Sequence, residues 1–338
     1  MFDEKVVVIG AGSWGTAIAK TLAINVSTVS IWGREEAVVD SINNHHESSL
    51  FLPGIKLPTN IKAYTNLSDA IEGATVIFFV IPSQFMRSVM IELSKLDFGS
   101  PYFVSATKGI ENEHLAFPSN CAMEILPPPI SEQFMTLSGP TFAIELAKEL
   151  PTAVTVASRN HRGAKFVQSR LANSFLRIYL DEDIVGVELA GAYKNVIAIG
   201  SGISDGLMLG DNARAALITR GLVEMSRLGL KLGANERTFR GLAGIGDLTL
   251  TCTGSLSRNR QVGLRLGAGE SMDSIFKSTH QVAEGVATSL SIVKLGKKLD
   301  VSLPIANMVY DVIYKGQTCR EGVKILMARE LKSEFAGF

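Results

Sequence analysis

In the first half of the chain, short apolar runs of strand length alternate with segments whose apolar positions recur every three or four residues. "KVVVI" from Lys5 predicts a strand, "SWGTAIAKTLAI" a helix and "STVSIW" a second strand, followed by a helix from Arg34 to about Asn44. The loop "LFLPGIKLPTN" interrupts, before a weak third strand "IKAYT", a short helix at "LSDAIEGA" and the run "TVIFFVI". That run is apolar on both faces, as expected in a parallel sheet covered on each side. A helix over 84–95, the strand "YFVSA" and a triple proline at 127–129 come next. "FMTLSG", a helix at "TFAIELA", the strand "TAVTVA", a helix over about 161–173 and the strand "LRIYL" complete the series. Repeated βαβ alternation of this kind predicts a doubly wound α/β domain.

Near Asp181 the rhythm changes. From Val187 onward the patterns are helical: "VELAGAYKNVIAIGSGI", "NARAALITRGLVEMSRLGLKLG", "RNRQVGLRLGAG", "GVATSLSIVKLGKKL" and "PIANMVYDVIYK". The expected division is residues 1–184, an N-terminal α/β domain, and residues 185–338, an all-α C-terminal domain. No internal repeat or low-complexity segment is visible.

The turn "GAGSWG", residues 10–15, follows the first strand directly and opens the first helix. In that context GxGxxG makes the first domain Rossmann-like. Gly10 permits the tight turn, Gly12 lets the backbone approach a pyrophosphate, and Gly15 allows close helix–strand packing. The helix N-terminus offers unpaired N–H groups and a positive dipole end to phosphate. Ser13 adds a hydroxyl donor, and Trp14 is placed to lie against the cofactor.

After the second strand, where an acid commonly holds the adenosine ribose, stands Arg34. A guanidinium there favours a 2′-phosphate and stacks on adenine, so NADPH is the expected cofactor, with NADH still possible. The alternative is a solvated arginine at a helix start, with Glu35 or Glu36 serving the ribose.

Four further stretches carry polar groups that packing does not demand. "SATKGIE" places Lys108 at the carboxyl end of a strand, where open sheets meet their ligands, though a loop lysine is the plainer reading. In "VELAGAYKNVIAIG" the helical wheel sets Lys194 beside Val187, Ala190, Gly191 and Ala198. Either the lysine snorkels, or the small neighbours make room for a substrate and desolvation lowers its pKa toward neutrality. Three glycines precede Asp247 and suggest a bent backbone delivering a carboxylate, although Asp is also a common helix cap. "SRNR", residues 257–260, opens a helix with a hydroxyl, an amide and two guanidiniums, either a phosphate site or a capped surface helix. Finally, "HQVAEGVAT" puts Glu284 in a small, apolar segment.

Charge is balanced, with 33 basic and 33 acidic residues, which argues against nucleic-acid binding through a broad basic field. Cys121, Cys252 and Cys319 are odd in number and widely spaced, suiting a reducing compartment better than a disulfide framework. No Cys/His spacing suggests zinc, and the five histidines read as surface residues with no metal expected. The early first strand leaves no room for a secretory leader, and the longest apolar run, "ATVIFFVI", is far short of a membrane span. The expectation is a cytoplasmic protein without an integral membrane segment.

Together, "GAGSWGTA", "SATKGIE", "SGPTFAIELA", "ELAGAYKNVIAIGSGISDGL", "GLAGIGDLTLTC", "SRNR" and "VAEGV" resemble the bacterial-type NAD(P)-dependent glycerol-3-phosphate dehydrogenases. The likeness runs from Gly10 to about residue 320. It implies reduction of dihydroxyacetone phosphate to sn-glycerol 3-phosphate for phospholipid synthesis, and commonly a homodimer. By the same resemblance Lys194 matches the proton-donating lysine, with Asp247 orienting it or the substrate hydroxyl. Lys108, Gly139, Thr141, Asp247, Ser257, Arg258 and Asn259 match substrate contacts. Ser13, Trp14, Arg34, Lys108, Ala143, Arg258, Val282 and Glu284 match cofactor contacts. Position 141 is Thr where Ser is frequent, which keeps the hydroxyl, and Arg34 stands where the family varies.

Two other readings remain open. A different β-hydroxyacid dehydrogenase would usually show Lys-x-x-x-Asn on the corresponding helix, but the residue four after Lys194 is Ala198. A non-catalytic NADPH sensor would bind the cofactor without turning it over.

Overall fold

Eight strands form one mixed sheet in the order β3-β2-β1-β4-β5-β6-β7-β8. The computed structural model describes residues 1–278, 283–331, 333 and 334. The chain falls into two compact units, Met1–Thr107 with Pro118–Ile184, and Lys108–Phe117 with the chain from Val185 onward.

The first unit holds the sheet. Its strands are β1 (Phe2–Ile9), β2 (Val26–Trp32), β3 (Ile61–Tyr64), β4 (Val76–Phe79), β5 (Tyr102–Ser105), β6 (Phe134–Ser138), β7 (Thr152–Ala157) and β8 (Leu176–Asp181). The connecting helices are α1 (Ser13–Leu22), α2 (Glu36–His45), α3 (Leu67–Ile71), α4 (Ser83–Leu93), α5 (Pro118–Ile125), α6 (Pro128–Ser131), α7 (Ala143–Ala147) and α8 (His161–Leu171). The central runs, Val6 to Ile9 and Val76 to Phe79, are buried at every position, because helices cover both faces. Val6, Val8, Val76 and Phe78, with Ala17, Ile18 and Leu22 of α1, belong to one core.

One strand pair departs from an all-parallel sheet: β6 and β7 are antiparallel. The helix between them explains it. At about 1.5 Å per residue, five-residue α7 covers roughly half the length of five-residue β6, too little to return the chain to the strand's starting end. The eleven-residue α8 does suffice, and β7 and β8 are parallel again. Helices α5 and α6, around the triple proline, were not foreseen in the pattern; Pro128 sits at the first position of α6, where its missing N–H costs nothing.

The second unit is helical: α9 (Ile184–Gly206), α10 (Gly210–Lys231), α11 (Glu236–Phe239), a π-helical turn (Leu242–Gly246), α12 (Asp247–Thr253), α13 (Arg258–Gly267), α14 (Met272–Lys277), α15 (Glu284–Lys298), α16 (Pro304–Tyr314) and α17 (Cys319–Met327). Helix α9 is its axis, with a continuous buried stretch from Gly186 to Ser204. The chain enters this unit at Val185, and Lys108–Phe117 belongs to it although sequence order places that segment in the α/β half. Ser291 ties the segment down by donating to the Ile110 carbonyl and to the Asn112 side chain. Among the described residues no helix is long and apolar enough to cross a membrane.

Candidate active site

In the first unit, the residues expected to face a dinucleotide surround the start of α1. Gly10 has φ +124°, and a β-carbon there would overlap the Val80 carbonyl oxygen; one at Gly15 would overlap the Gly10 carbonyl oxygen. Both positions therefore exclude side chains. Gly12 differs, since a β-carbon there would meet nothing within 4 Å. It is the N-cap of a ten-residue helix with no side-chain cap and no acid in its first turn. Open space in front of uncapped N–H groups at a positive dipole end fits a dinucleotide pyrophosphate.

Ser13 donates its hydroxyl proton to the Phe51 carbonyl at 2.6 Å, so toward a ligand it is an acceptor or must rotate. Trp14 packs against the first core. Arg34 is exposed just beyond β2, its guanidinium 5.8 Å from the Trp32 ring centroid. The residue before it, Gly33, sits against the glycine-rich turn: a β-carbon at Gly33 would lie 2.6 Å from that of Ala11. Sequence reading passed over Gly33, whose need for a hydrogen side chain comes only from that tertiary approach.

Gly139 directly follows β6 at φ +151°, and a β-carbon there would lie 2.8 Å from the Val154 Cα. Thr141 donates to the Gly139 carbonyl at 3.1 Å, and Ala143 opens α7, which packs on α1.

In the second unit, two sequence candidates converge on the carboxylate of a third. Asp247 is fully buried; its Oδ1 accepts from Lys194 Nζ at 2.6 Å and its Oδ2 from Lys108 Nζ at 2.9 Å. Delivery of that carboxylate depends on the turn before it. Gly244 has non-helical φ/ψ (−85°, −107°), and any β-carbon would collide with the backbone of Phe239. The chain folds back there and restarts as α12 at Asp247 itself.

Thr251, one turn on, donates to the Asp247 carbonyl at 2.6 Å and accepts from Lys194 at 3.0 Å. The buried Lys194 and the partly buried Lys108 thus share one buried carboxylate, leaving the cluster an excess of positive charge that suits an oxyanion. Burial pushes the Lys194 pKa down, Asp247 pulls it up and Lys108 pushes it down again, to about 8. The two engaged donors leave Lys194 a third N–H.

A chain of amides extends from this cluster. Asn195 donates to the Lys108 carbonyl at 3.1 Å and accepts from Asn259 at 3.0 Å; Asn259 in turn accepts from the Gly285 N–H at 2.8 Å. Ser257 caps α13, accepting from the Arg260 N–H at 3.2 Å and keeping its own proton to donate. Arg258 is exposed in the first turn of the same helix, within electrostatic reach of Glu284 at the start of α15. Lys108, Lys194, Asp247, Ser257, Arg258, Asn259 and Glu284 therefore all belong to the second unit, whereas Gly139 and Thr141 belong to the first. Val282 lies outside the described residues. Thr251 and Asn195 escaped sequence reading; the i, i+4 spacing of Asp247 and Thr251 is the signal that could have found Thr251.

Two family models match the chain: the N-terminal domain of NAD-dependent glycerol-3-phosphate dehydrogenase over residues 5–164 and its C-terminal domain over residues 183–324. A glycerol-3-phosphate dehydrogenase [NAD(P)+] of Citrifermentans bemidjiense is 48% identical over 98% of this chain and 99% of its own. One from Bacillus cereus is 44% identical, over 98% and 97%. Among solved structures, glycerol-3-phosphate dehydrogenase from Coxiella burnetii superposes with a TM-score of 0.92 at 36% identity, covering 97% of this chain and all of that one. A ketopantoate reductase from Ralstonia eutropha, at 14% identity and a TM-score of 0.61, shares the fold alone. The chain belongs to the NAD-dependent glycerol-3-phosphate dehydrogenase family.

Proposed function

We propose that this protein reduces dihydroxyacetone phosphate to sn-glycerol 3-phosphate, reversibly, with NADPH preferred over NADH. The observation that carries the reading is the buried Asp247 shared by Lys194 and Lys108, with the Lys194 pKa lowered to about 8. The nicotinamide, when bound, exchanges a hydride with the substrate carbonyl carbon.

The chain supplies everything else. Lys194 donates a proton to the developing alkoxide and stabilises its charge beforehand. Asp247 and Thr251 hold the ammonium in place, and Lys108 adds positive charge to the same oxygen. Ser257, Arg258 and Asn259, at an N-terminus without acidic residues, bind the substrate phosphate, with Gly139 and Thr141 as further substrate contacts. The dinucleotide phosphates take the open space before Gly12, flanked by Ser13 and Trp14; Ala143, Arg258, Val282 and Glu284 are further cofactor contacts. Arg34, exposed just beyond β2 where the adenosine ribose is expected, supports the NADPH preference. The protein is further proposed to act as a cytoplasmic homodimer that feeds phospholipid synthesis.

Steady-state reduction of dihydroxyacetone phosphate, run in parallel with NADPH and NADH, tests substrate and cofactor together. Cofactor binding without turnover would instead identify a sensor. Turnover only with another keto acid would identify a different dehydrogenase of the same fold.

A further inference from the structure

Helices α9 and α13 lie side by side in the same direction and in a fixed register. Asn259 donates to Asn195, a pair 64 positions apart, and the same offset recurs one and two turns later. A β-carbon at Gly263 would overlap the Ile199 carbonyl oxygen, and one at Gly267 would lie 2.5 Å from that of Ile203. From the other side, β-carbons at Gly202 and Gly206 would overlap the carbonyl oxygens of Arg260 and Leu264. The two backbones touch, so neither helix can slide or separate by a fraction of a turn without losing contact.

An ion pair fixes the same register. Asp205, near the end of α9, accepts from Arg260 Nε at 2.9 Å and Nη2 at 2.6 Å, a two-point fork. Arg214 of α10 adds a third bond to the other carboxylate oxygen at 2.9 Å. The three side chains are partly buried, and both Arg260 nitrogens meet the same Asp205 oxygen while Arg214 takes the other. Lys194 stands on one of the paired helices beside Asn195. Residues 257–259 stand at the start of the other, with Asn259 in the pair itself.

We propose that the α9–α13 register is a ruler, with Asp205 and Gly263 as positioning residues. It fixes the separation between the proton-donating Lys194 and the phosphate-binding turn, and so selects a substrate whose carbonyl and phosphate are that far apart. This rests on the function proposed above. Loosening the register costs recognition of the phosphate end and leaves chemistry at the carbonyl end intact, because Lys194, Asp247 and Thr251 are held together by their own hydrogen bonds between α9 and α12 rather than by α13.

Dihydroxyacetone, which lacks the phosphate, separates the two ends. In Gly263→Ala, the KM for dihydroxyacetone phosphate rises and kcat/KM falls about a hundredfold, the scale expected for misplacement by about an ångström. Its kcat/KM for dihydroxyacetone stays within about twofold of wild type, since the truncated substrate never used the phosphate site. Asp205→Asn adds no volume, keeps the side-chain shape and removes the charge from the fork; it gives the same split, at about tenfold. If Gly263→Ala fails to fold, Asp205→Asn decides alone. Equal losses on both substrates, or an unchanged ratio in the folded Asp205→Asn protein, overturn the ruler. A wild-type enzyme that does not reduce dihydroxyacetone phosphate overturns the underlying function instead, and the two failures are told apart by that single control.

Discussion

Lys194 is buried against one carboxylate and near a second ammonium, and the three influences on it do not act in the same direction. Desolvation is the largest and, with Lys108, lowers its pKa; Asp247 opposes them, and the balance rests at about 8. A proton donor must be charged before it acts, so the rate of carbonyl reduction should fall as pH rises through about 8, while alcohol oxidation, which needs the neutral amine, should rise over the same range. Asp247→Asn removes the charge that holds the pKa up, and the falling limb of the reduction profile should move to lower pH. A profile that stays in place would mean that some other group carries the limb. Lys194→Met should cut kcat by about a hundredfold or more, the usual range for a lost general acid. Near-normal turnover would remove Lys194 from the chemistry. At the cofactor end, Arg34→Ala should raise the KM for NADPH much more than that for NADH; equal changes would show that this guanidinium does not discriminate.

Elements differ in how openly the sequence declares them. The β1–turn–α1 unit was legible because each glycine has a local pattern around it, and the Lys194 face of α9 was legible because small residues flank a lysine at helical spacing. The antiparallel β6–β7 pair was not, since only the length of α7 against β6 dictates it. Lys108–Phe117 lies in the α/β half by sequence order and groups with the helical unit, because no hydrophobic rhythm announces which core Ile110 and Phe117 will join. Asn195 and Thr251 have unremarkable neighbours in sequence; their roles arise only when α9, α12 and α13 meet. The three glycines before Asp247 predict a bend, and the π-helical turn with its fold-back at Gly244 is the physical form of that bend. Gly244→Ala pushes a methyl group into the Phe239 backbone and must displace the start of α12, which carries Asp247. The expected result is a loss of about a hundredfold in kcat with a much smaller change in cofactor affinity, because the glycine-rich turn belongs to the other unit and the proposed cofactor contacts Arg258 and Glu284 stand on α13 and α15 rather than α12. Loss of NADPH binding in a folded variant would contradict that separation.

At the scale of the whole molecule, a second buried ionisable group matters to stability. Glu224 of α10 accepts from Tyr193 Oη at 2.9 Å, from the Ile305 N–H at 2.8 Å and from the Ala306 N–H at 3.3 Å. One carboxyl group thus joins α9, α10 and the start of α16, where it replaces the missing helix cap. Burial raises its pKa, its hydrogen bonds and Arg227 lower it, and the result is about 7, well above the ordinary value of 4.5. The folded protein therefore holds a proton that the unfolded chain releases between these two values. The contribution to stability is full below about 4.5 and is lost as pH rises to about 7, the opposite of a salt-bridged carboxylate. Over that window wild type should lose up to roughly 3 kcal/mol relative to Glu224→Gln, whose neutral amide does not titrate. Other groups also titrate there, so the measurement is the difference between the two proteins in urea unfolding at a series of pH values. A probe in the second unit is required, since the two units need not unfold together. Parallel curves for the two proteins would show that Glu224 ionises in the fold as easily as in the open chain.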